Sequence, residues 1–299
     1  MQDPTGFTKF LFGLDAAALS KSLRLTAPSI NLKALLGDDP SKIARALAGP
    51  GFDLRWAEQI KIPTNLWRIA PGLSQSFLAP MTSMFEAWAR EDMRFGRVER
   101  AGWLPHYTTP DLADQLSDDE VRRVLSAHYR DNWSDVRAQL AQTCASFEID
   151  DEAKEVYREA LAAHDAGLFR CVPRLLFPEI ERVVRDEFFP GELDPLSSQR
   201  ELRDAAGGLS VVEIRRGNAA GLRLYEKLNQ HLYTHVKTEE ALAKVSADPV
   251  PNRHASLHGL VIYRSAQSSL NALLMTEFAF AIVSTLKRNI REDAAVAAA

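Results

Sequence analysis

The chain is 299 residues long, 46% hydrophobic and 25% charged, with a formal net charge of −4 and an isoelectric point near 6.0. That apolar content excludes a disordered polymer, and the slightly acidic balance excludes a protein that coats nucleic acid through a broad cationic field. Any polyanion has to be met locally. The length suits two domains, because single domains most often hold about 100 to 150 residues.

Residues 101–190 hold 18 Asp and Glu against 10 Lys and Arg, which reads as a solvated helical face. Cys144 and Cys171 fit no CxxC or zinc-ligand pattern, so they read as reduced cytosolic thiols, with Cys171 a buried structural one. The first residues lack the basic and apolar regions of a secretion signal. Leu270 to Leu286 is the best membrane candidate, yet it contains Asn271, Thr276 and Glu277. An acid near a bilayer centre costs about 2.5 to 3.5 kcal/mol or more. The expectation is a soluble, cytoplasmic protein with no membrane span and a buried helix at this point.

In chain order, Pro and Gly punctuate residues 1–75 so densely that only helices of about two turns fit. From Phe77 to Glu99, Leu78, Met81, Phe85, Trp88 and Met93 recur at near-helical spacing and predict one longer amphipathic helix. Gly102, Pro105 and Pro110 then break the pattern, placing a boundary between an N-terminal helical region, 1–101, and a helical domain, 102–299. Ser117 and Glu120 form a capping-box signature ahead of Val121, Leu125 and Tyr129. Asp150 and Asp151 open a helix with Val156, Ala160 and Leu161 on its inner face, and Gly167 lets the chain turn. A second helix carries Leu168, Val172, Leu175, Leu176, Ile180 and Val183, starting late or bending at Pro173 and Pro178. The two make an αα-hairpin.

Residues 189–219 read as an irregular insertion, after which Leu222, Tyr225, Leu228, Leu232 and Val236 restore helical periodicity. Leu270, Leu273, Leu274, Phe278, Ala281 and Ile282 do so again before an Ala-rich tail read as frayed. Strand-like alternation is scarce, so the fold class is all-α.

The segment Asp248-Pro249-Val250-Pro251-Asn252-Arg253-His254-Ala255-Ser256-Leu257-His258-Gly259 carries the chemistry. Asn252 suits an N-cap and Gly259 a C′ position, so a helix of under two turns is expected from about Arg253 to His258. Arg253 then sits beside free backbone N–H groups that suit an anion. An Arg fork can hold two phosphate oxygens and stabilise charge growing in the transition state. An imidazole can move the proton of a ribose 2′-hydroxyl or of a leaving group. Five residues on an ideal helix leave the two side chains about 140° apart, so they meet only if Arg253 swings over the helix start or a second chain completes the site.

Arg253-His254-Ala255-Ser256-Leu257-His258, lying between the Leu222 and Leu270 helices and downstream of an αα-hairpin, resembles the Arg-x4-His motif of HEPN domains. The resemblance covers roughly residues 145–290 and implies a C-terminal HEPN-like helical bundle with an additional N-terminal helical region. It implies metal-independent RNA cleavage by a homodimer, without cofactor, of the kind found in toxin–antitoxin, phage-defence and RNA-processing systems. Arg253 would bind phosphate, His258 would transfer the proton and His254 would support them. An antitoxin or regulatory protein is the further partner implied, and residues 1–101, which resemble nothing known, suit a sensing or docking role.

Glu181 shares a helical stripe with Phe177, Val184 and Phe188 and can orient Arg253, although an exposed pair with Arg185 is the plainer reading. Three alternatives stand beside catalysis. The motif can be a capped structural turn, His254 and His258 can ligate a metal, or the chain can be a non-catalytic helical interaction module. His231 and His235 form a second i,i+4 pair that can line the same cleft, although solvent-facing or core-edge histidines are the plainer reading. No phosphate loop or nucleophile elbow is present, and the scattered tryptophans read as core.

Overall fold

A computed structural model describes residues 90–189, 191 and 220–297. The readings made for residues 1–89 and most of the 189–219 insertion lie outside them. The chain divides into two compact units, Met1–Met93 and Arg94–Ala299, and nearly all described residues belong to the second. That unit is all-α: no strand occurs among the described residues.

The unit opens with helical residues 94–100 (α1), whose Val98 reaches the core. Gly102 follows at φ +82°, where a Cβ would meet Pro249 Cγ at 2.5 Å, so the turn requires glycine. The chain after it is no exposed linker. Trp103, Leu104 and His106 are buried, and Arg94 fastens the segment by donating to the Thr109 and Pro110 carbonyls.

α2 (Asp118–Asp131) starts on the expected capping box, with Val121, Leu125 and Tyr129 buried. α3 (Trp133–Ser146) follows almost at once and buries Val136, Leu140 and Cys144. α4 (Asp151–Asp165) is capped by the Asp150 carboxylate, which accepts from Ala153 N–H at 2.9 Å. Its buried stripe is Ala153, Tyr157, Ala160 and Leu161. Tyr157 takes the place expected for Val156 because its ring lies against Phe280, with centroids 6.2 Å apart, and its hydroxyl donates to the Leu273 carbonyl at 3.2 Å.

Gly167, at φ +73°, reverses the chain into α5 (Cys171–Phe188), completing the αα-hairpin. Pro173 occupies the first turn, where no intrahelical N–H is required, so α5 starts ahead of it and not after it. Pro178 lies inside the helix. Leu168, expected on the inner stripe, precedes α5 and is exposed. Cys171, expected buried, is exposed at the helix start, and the buried thiol is Cys144.

α6 (Gly221–Lys227) runs into a π-helical turn, Leu228–Leu232. The wider turn ends the helix before Val236, which was expected to continue it, and turns His231 inward. α7 (Glu239–Ala247) is capped by Thr238, α8 (Arg253–Leu257) by Asn252, and α9 extends from Ala266 to Ala297. The Ala-rich tail is thus helical as far as Ala297.

α9 is the axis of the unit, packing against α3, α4, α5 and α6. It is long and apolar enough to cross a membrane by length and composition, and 83% of its most apolar window is buried inside the unit. Every residue from Ser268 to Phe280 is buried, so the helix has no wet face over more than three turns.

Polar groups on such a helix need internal partners. Asn271 accepts from Leu104 N–H at 3.0 Å and donates to the Gly102 carbonyl at 3.0 Å. Glu277 accepts from the Tyr107 hydroxyl at 2.6 Å and faces His106 Nε2 at 2.5 Å. The ring's Nδ1 faces the Thr108 N–H at 3.3 Å and hydroxyl at 2.9 Å, which makes Nδ1 the acceptor and leaves Nε2 to donate to the carboxylate. Burial and then the nearby Glu277 charge push the Tyr107 and Tyr157 hydroxyls well above the usual tyrosine range and the Cys144 thiol up to about 12.

Two stability predictions arise. Replacing His106 by Ala leaves the Glu277 carboxylate buried with one fewer donor, and a hydrogen bond to a charged group is typically worth about 1.5 to 3 kcal/mol. Urea denaturation should place Glu277→Gln, which removes the charge, well above His106→Ala in stability. Burial holds the His164 ring, bonded to Ser269 at 2.8 Å, down to about 4. An unfolded histidine titrates near about 6.5, so the unfolded chain binds the extra proton first. Stability should therefore fall as pH drops from about 6.5 through about 4, and a His164→Gln variant should show a flatter profile.

Candidate functional site

The short α8 is fixed from both ends. Asn252 Oδ1 accepts from Ala255 N–H at 2.8 Å as N-cap, and Gly259, at φ +71°, ends the helix while Leu260 N–H returns to the Ala255 carbonyl at 2.9 Å. The helix expected from about Arg253 to His258 is present with its caps in the expected places.

Asn252 does more than cap. Its side chain is fully buried, and its Nδ2 donates toward the carbonyls of His231 at 2.6 Å, Leu232 at 3.3 Å and Thr234 at 2.9 Å. Its own N–H donates to the Tyr263 hydroxyl at 3.1 Å. The π turn leaves carbonyls without helical partners, and Asn252 supplies the donors. His231 completes the clasp by donating from Nε2 to the Val250 carbonyl at 2.8 Å. Of the second histidine pair, His231 is therefore a core-edge structural residue.

Arg253 turns toward α5. Its Nη2 donates to Glu181 Oε2 at 2.6 Å, and its Nε lies against Oε1 of the same carboxylate. The Glu181 side chain is 8% exposed and the Arg253 side chain 19%. Glu181 is thus buried beside Arg253, as the stripe with Phe177, Val184 and Phe188 allowed, and is no surface group. Arg174, also on α5, reaches α8 by donating to the Ser256 carbonyl at 3.4 Å.

Three imidazoles gather at the short helix. His254 and His258, one turn apart, have ring centroids 4.6 Å apart, and His235 approaches His254 edge-on at 5.3 Å. His258 and His235 are exposed, while His254 is half-buried. Loss of solvent, then the charges of His258, His235, Arg253 and Lys237, push the His254 ring below the usual histidine range. Among the described residues no contact joins Arg253 to His258 directly: the guanidinium meets Glu181, and His258 meets His254.

All seven histidines of the chain fall in the described residues. His106, His128, His164 and His231 are each anchored by hydrogen bonds to the protein. His235, His254 and His258 make none among the described residues, and the His254 Nδ1 is enclosed without a partner. Nor is any group of three or more His, Cys, Asp or Glu among the described residues arranged to hold a metal ion. Such an arrangement can place proton-exchanging rings beside a held guanidinium at the surface.

The sequence left His235 open between lining the motif's cleft and facing solvent or the core edge, because its segment read as continuous helix. The His231/His235 spacing was the available signal. Compared with protein-family models, curated proteins and solved structures, the chain matches none.

Asn252→Asp tests the clasp. The variant keeps the capping oxygen but turns a carboxylate toward three carbonyls, and unsatisfied or opposed buried groups cost about 1 to 3 kcal/mol each. Chemical denaturation should show it several kcal/mol less stable than the wild type, whereas equal midpoints would mean that the clasp contributes nothing.

Proposed function

We propose that the chain is a HEPN-like, metal-independent endoribonuclease, acting as toxins or phage-defence effectors do, with Arg253 and His258 at the reacting phosphate. The observation that carries this reading is the contrast among the imidazoles. Four are tied to the protein, and the three that are not gather at the short helix that carries Arg253. A histidine that serves the fold ordinarily has a bonded nitrogen, whereas one that exchanges protons with a ligand has to present a nitrogen to it.

Glu181 holds Arg253 through Nη2, with Nε close against the same carboxylate. A guanidinium held in this way keeps its charge and direction while a phosphate oxygen binds its open side. His258 then moves the proton between ribose 2′-hydroxyl and leaving oxygen, and His254 packs against it as the supporting ring. RNA is the substrate, and a homodimer with an antitoxin or regulatory partner follows from the resemblance.

A second reading, a helical interaction module that keeps the motif for structure, is favoured by the Arg253–Glu181 pair and the Asn252 clasp, which hold α8 whatever its chemistry. The two readings separate on one measurement. Purified protein in EDTA should cut single-stranded RNA to cyclic-phosphate or 3′-phosphate ends. His258→Ala, at an exposed position, should lower the rate by about 10²- to 10⁴-fold without changing the melting temperature. Arg253→Lys should also be slow, since an ammonium cannot form the fork. RNA left intact by the wild type favours the module.

A further inference from the structure

We infer that His235, which lies outside the Arg-x4-His motif, is the second proton-transfer group of the site, working opposite His258 across the ring of His254. This rests on the ribonuclease reading and deepens it by completing the set of groups that the reaction requires.

Cleavage of RNA by its own 2′-hydroxyl involves two proton transfers at different oxygens. One imidazole accepts the 2′-hydroxyl proton as the O2′–P bond forms. The P–O5′ bond breaks with its electron pair on O5′, and a second, protonated imidazole gives that oxygen its proton. The products are a 2′,3′-cyclic phosphate and a free 5′-hydroxyl, and the two rings reset by exchange with water. Neither metal nor redox partner enters the balance. Attack and departure take place on opposite sides of phosphorus, so one exposed ring cannot ordinarily serve both oxygens.

The motif itself offers His254 and His258, but these two are unequal. His254 is half-buried with Nδ1 enclosed, whereas His258 is exposed. The ring that matches His258 in exposure and in freedom from hydrogen bonds is His235. The two flank His254 at centroid distances of 5.3 and 4.6 Å.

His235 is also held at its post. Asn252, whose Oδ1 caps the motif helix, donates from its Nδ2 to the Thr234 carbonyl, immediately before His235, and Val236, immediately after it, is buried in a small cluster with Val245, Ala255 and Tyr263. Backbone on both sides of His235 is thus fixed to the element that carries the motif, while its ring faces solvent. The charges bearing on this group of rings are Lys237 and Arg253, with Glu181 behind Arg253 and Arg174 of α5 reaching the same short helix. A cationic surround suits the rings to an anionic phosphodiester.

The test uses full-length protein, EDTA and two substrates: a short single-stranded RNA, and a uridine 3′-phosphodiester with a p-nitrophenol leaving group, which needs no proton to depart. His235→Ala should cut RNA about 10²- to 10⁴-fold more slowly than wild type, with one limb of the bell-shaped kcat profile gone and the melting temperature unchanged. If His235 is the acid, the p-nitrophenyl ester recovers most of the lost rate. If it is the base, the loss persists on both substrates and the acidic limb is the one that disappears.

A His235→Ala enzyme that matches wild type in rate and profile, while His258→Ala is inactive, overturns the role of His235 and leaves the nuclease reading standing. A wild-type protein that cleaves neither substrate overturns both.

Discussion

A helix with no wet face must find every polar partner inside the protein, and α9 imposes that condition on the rest of the unit. From Ser268 to Phe280 it is buried throughout, yet it carries Ser269, Asn271, Thr276 and Glu277. Thr276 is satisfied within the helix, by the Ala272 carbonyl. The others recruit the surroundings: Ser269 takes His164 of α4, Asn271 takes the Gly102–Leu104 turn, and Glu277 takes His106 and Tyr107. The recruited groups come from α4 and from the 102–107 segment, which is held at two points, so the polar residues of α9 help decide where these segments lie. Apolar burial supplies the cohesion, and these few bonds supply the register.

The same logic governs α8 on a smaller scale. A five-residue helix contributes little stability by itself, so its position depends on what grips it. Asn252 joins it to the end of the π turn, Arg253 joins it to α5 through Glu181, and Leu260 closes its last turn. With these grips in place the motif can present rings at the surface without relying on a long helix behind it.

Features encoded by local rules were legible in the sequence. The capping box at Ser117 and Glu120, the Asp150 cap, the turn at Gly167 and the Asn252-to-Gly259 helix are set by neighbouring residues, and each lies where its residue types demand. Features set by distant contacts were less legible. Leu168 fits a helical spacing but falls before α5, because that helix begins only at Cys171. Pro173 looks like a breaker and instead sits in a first turn that tolerates it. The π turn adds a residue per turn that no 3.6-residue period anticipates, and with it the sequence-based inner stripe ran past its true end to Val236. The Arg253–Glu181 contact, 72 positions apart, was open to a reading of a buried stripe on one helix and a cation on another, although an exposed pair with Arg185 was the plainer reading, and His235 stayed open between the cleft and the surface because its segment read as helix.

The Asn252 clasp has a consequence for how a ligand would meet this surface. Because the backbone on either side of His235 is fastened to the element bearing His254 and His258, the distances between the rings are set when the chain folds and not when something binds. The loss of freedom that would otherwise accompany bringing two loops together belongs to the folding equilibrium. A molecule meeting this surface would therefore find the main chain around the rings already in place.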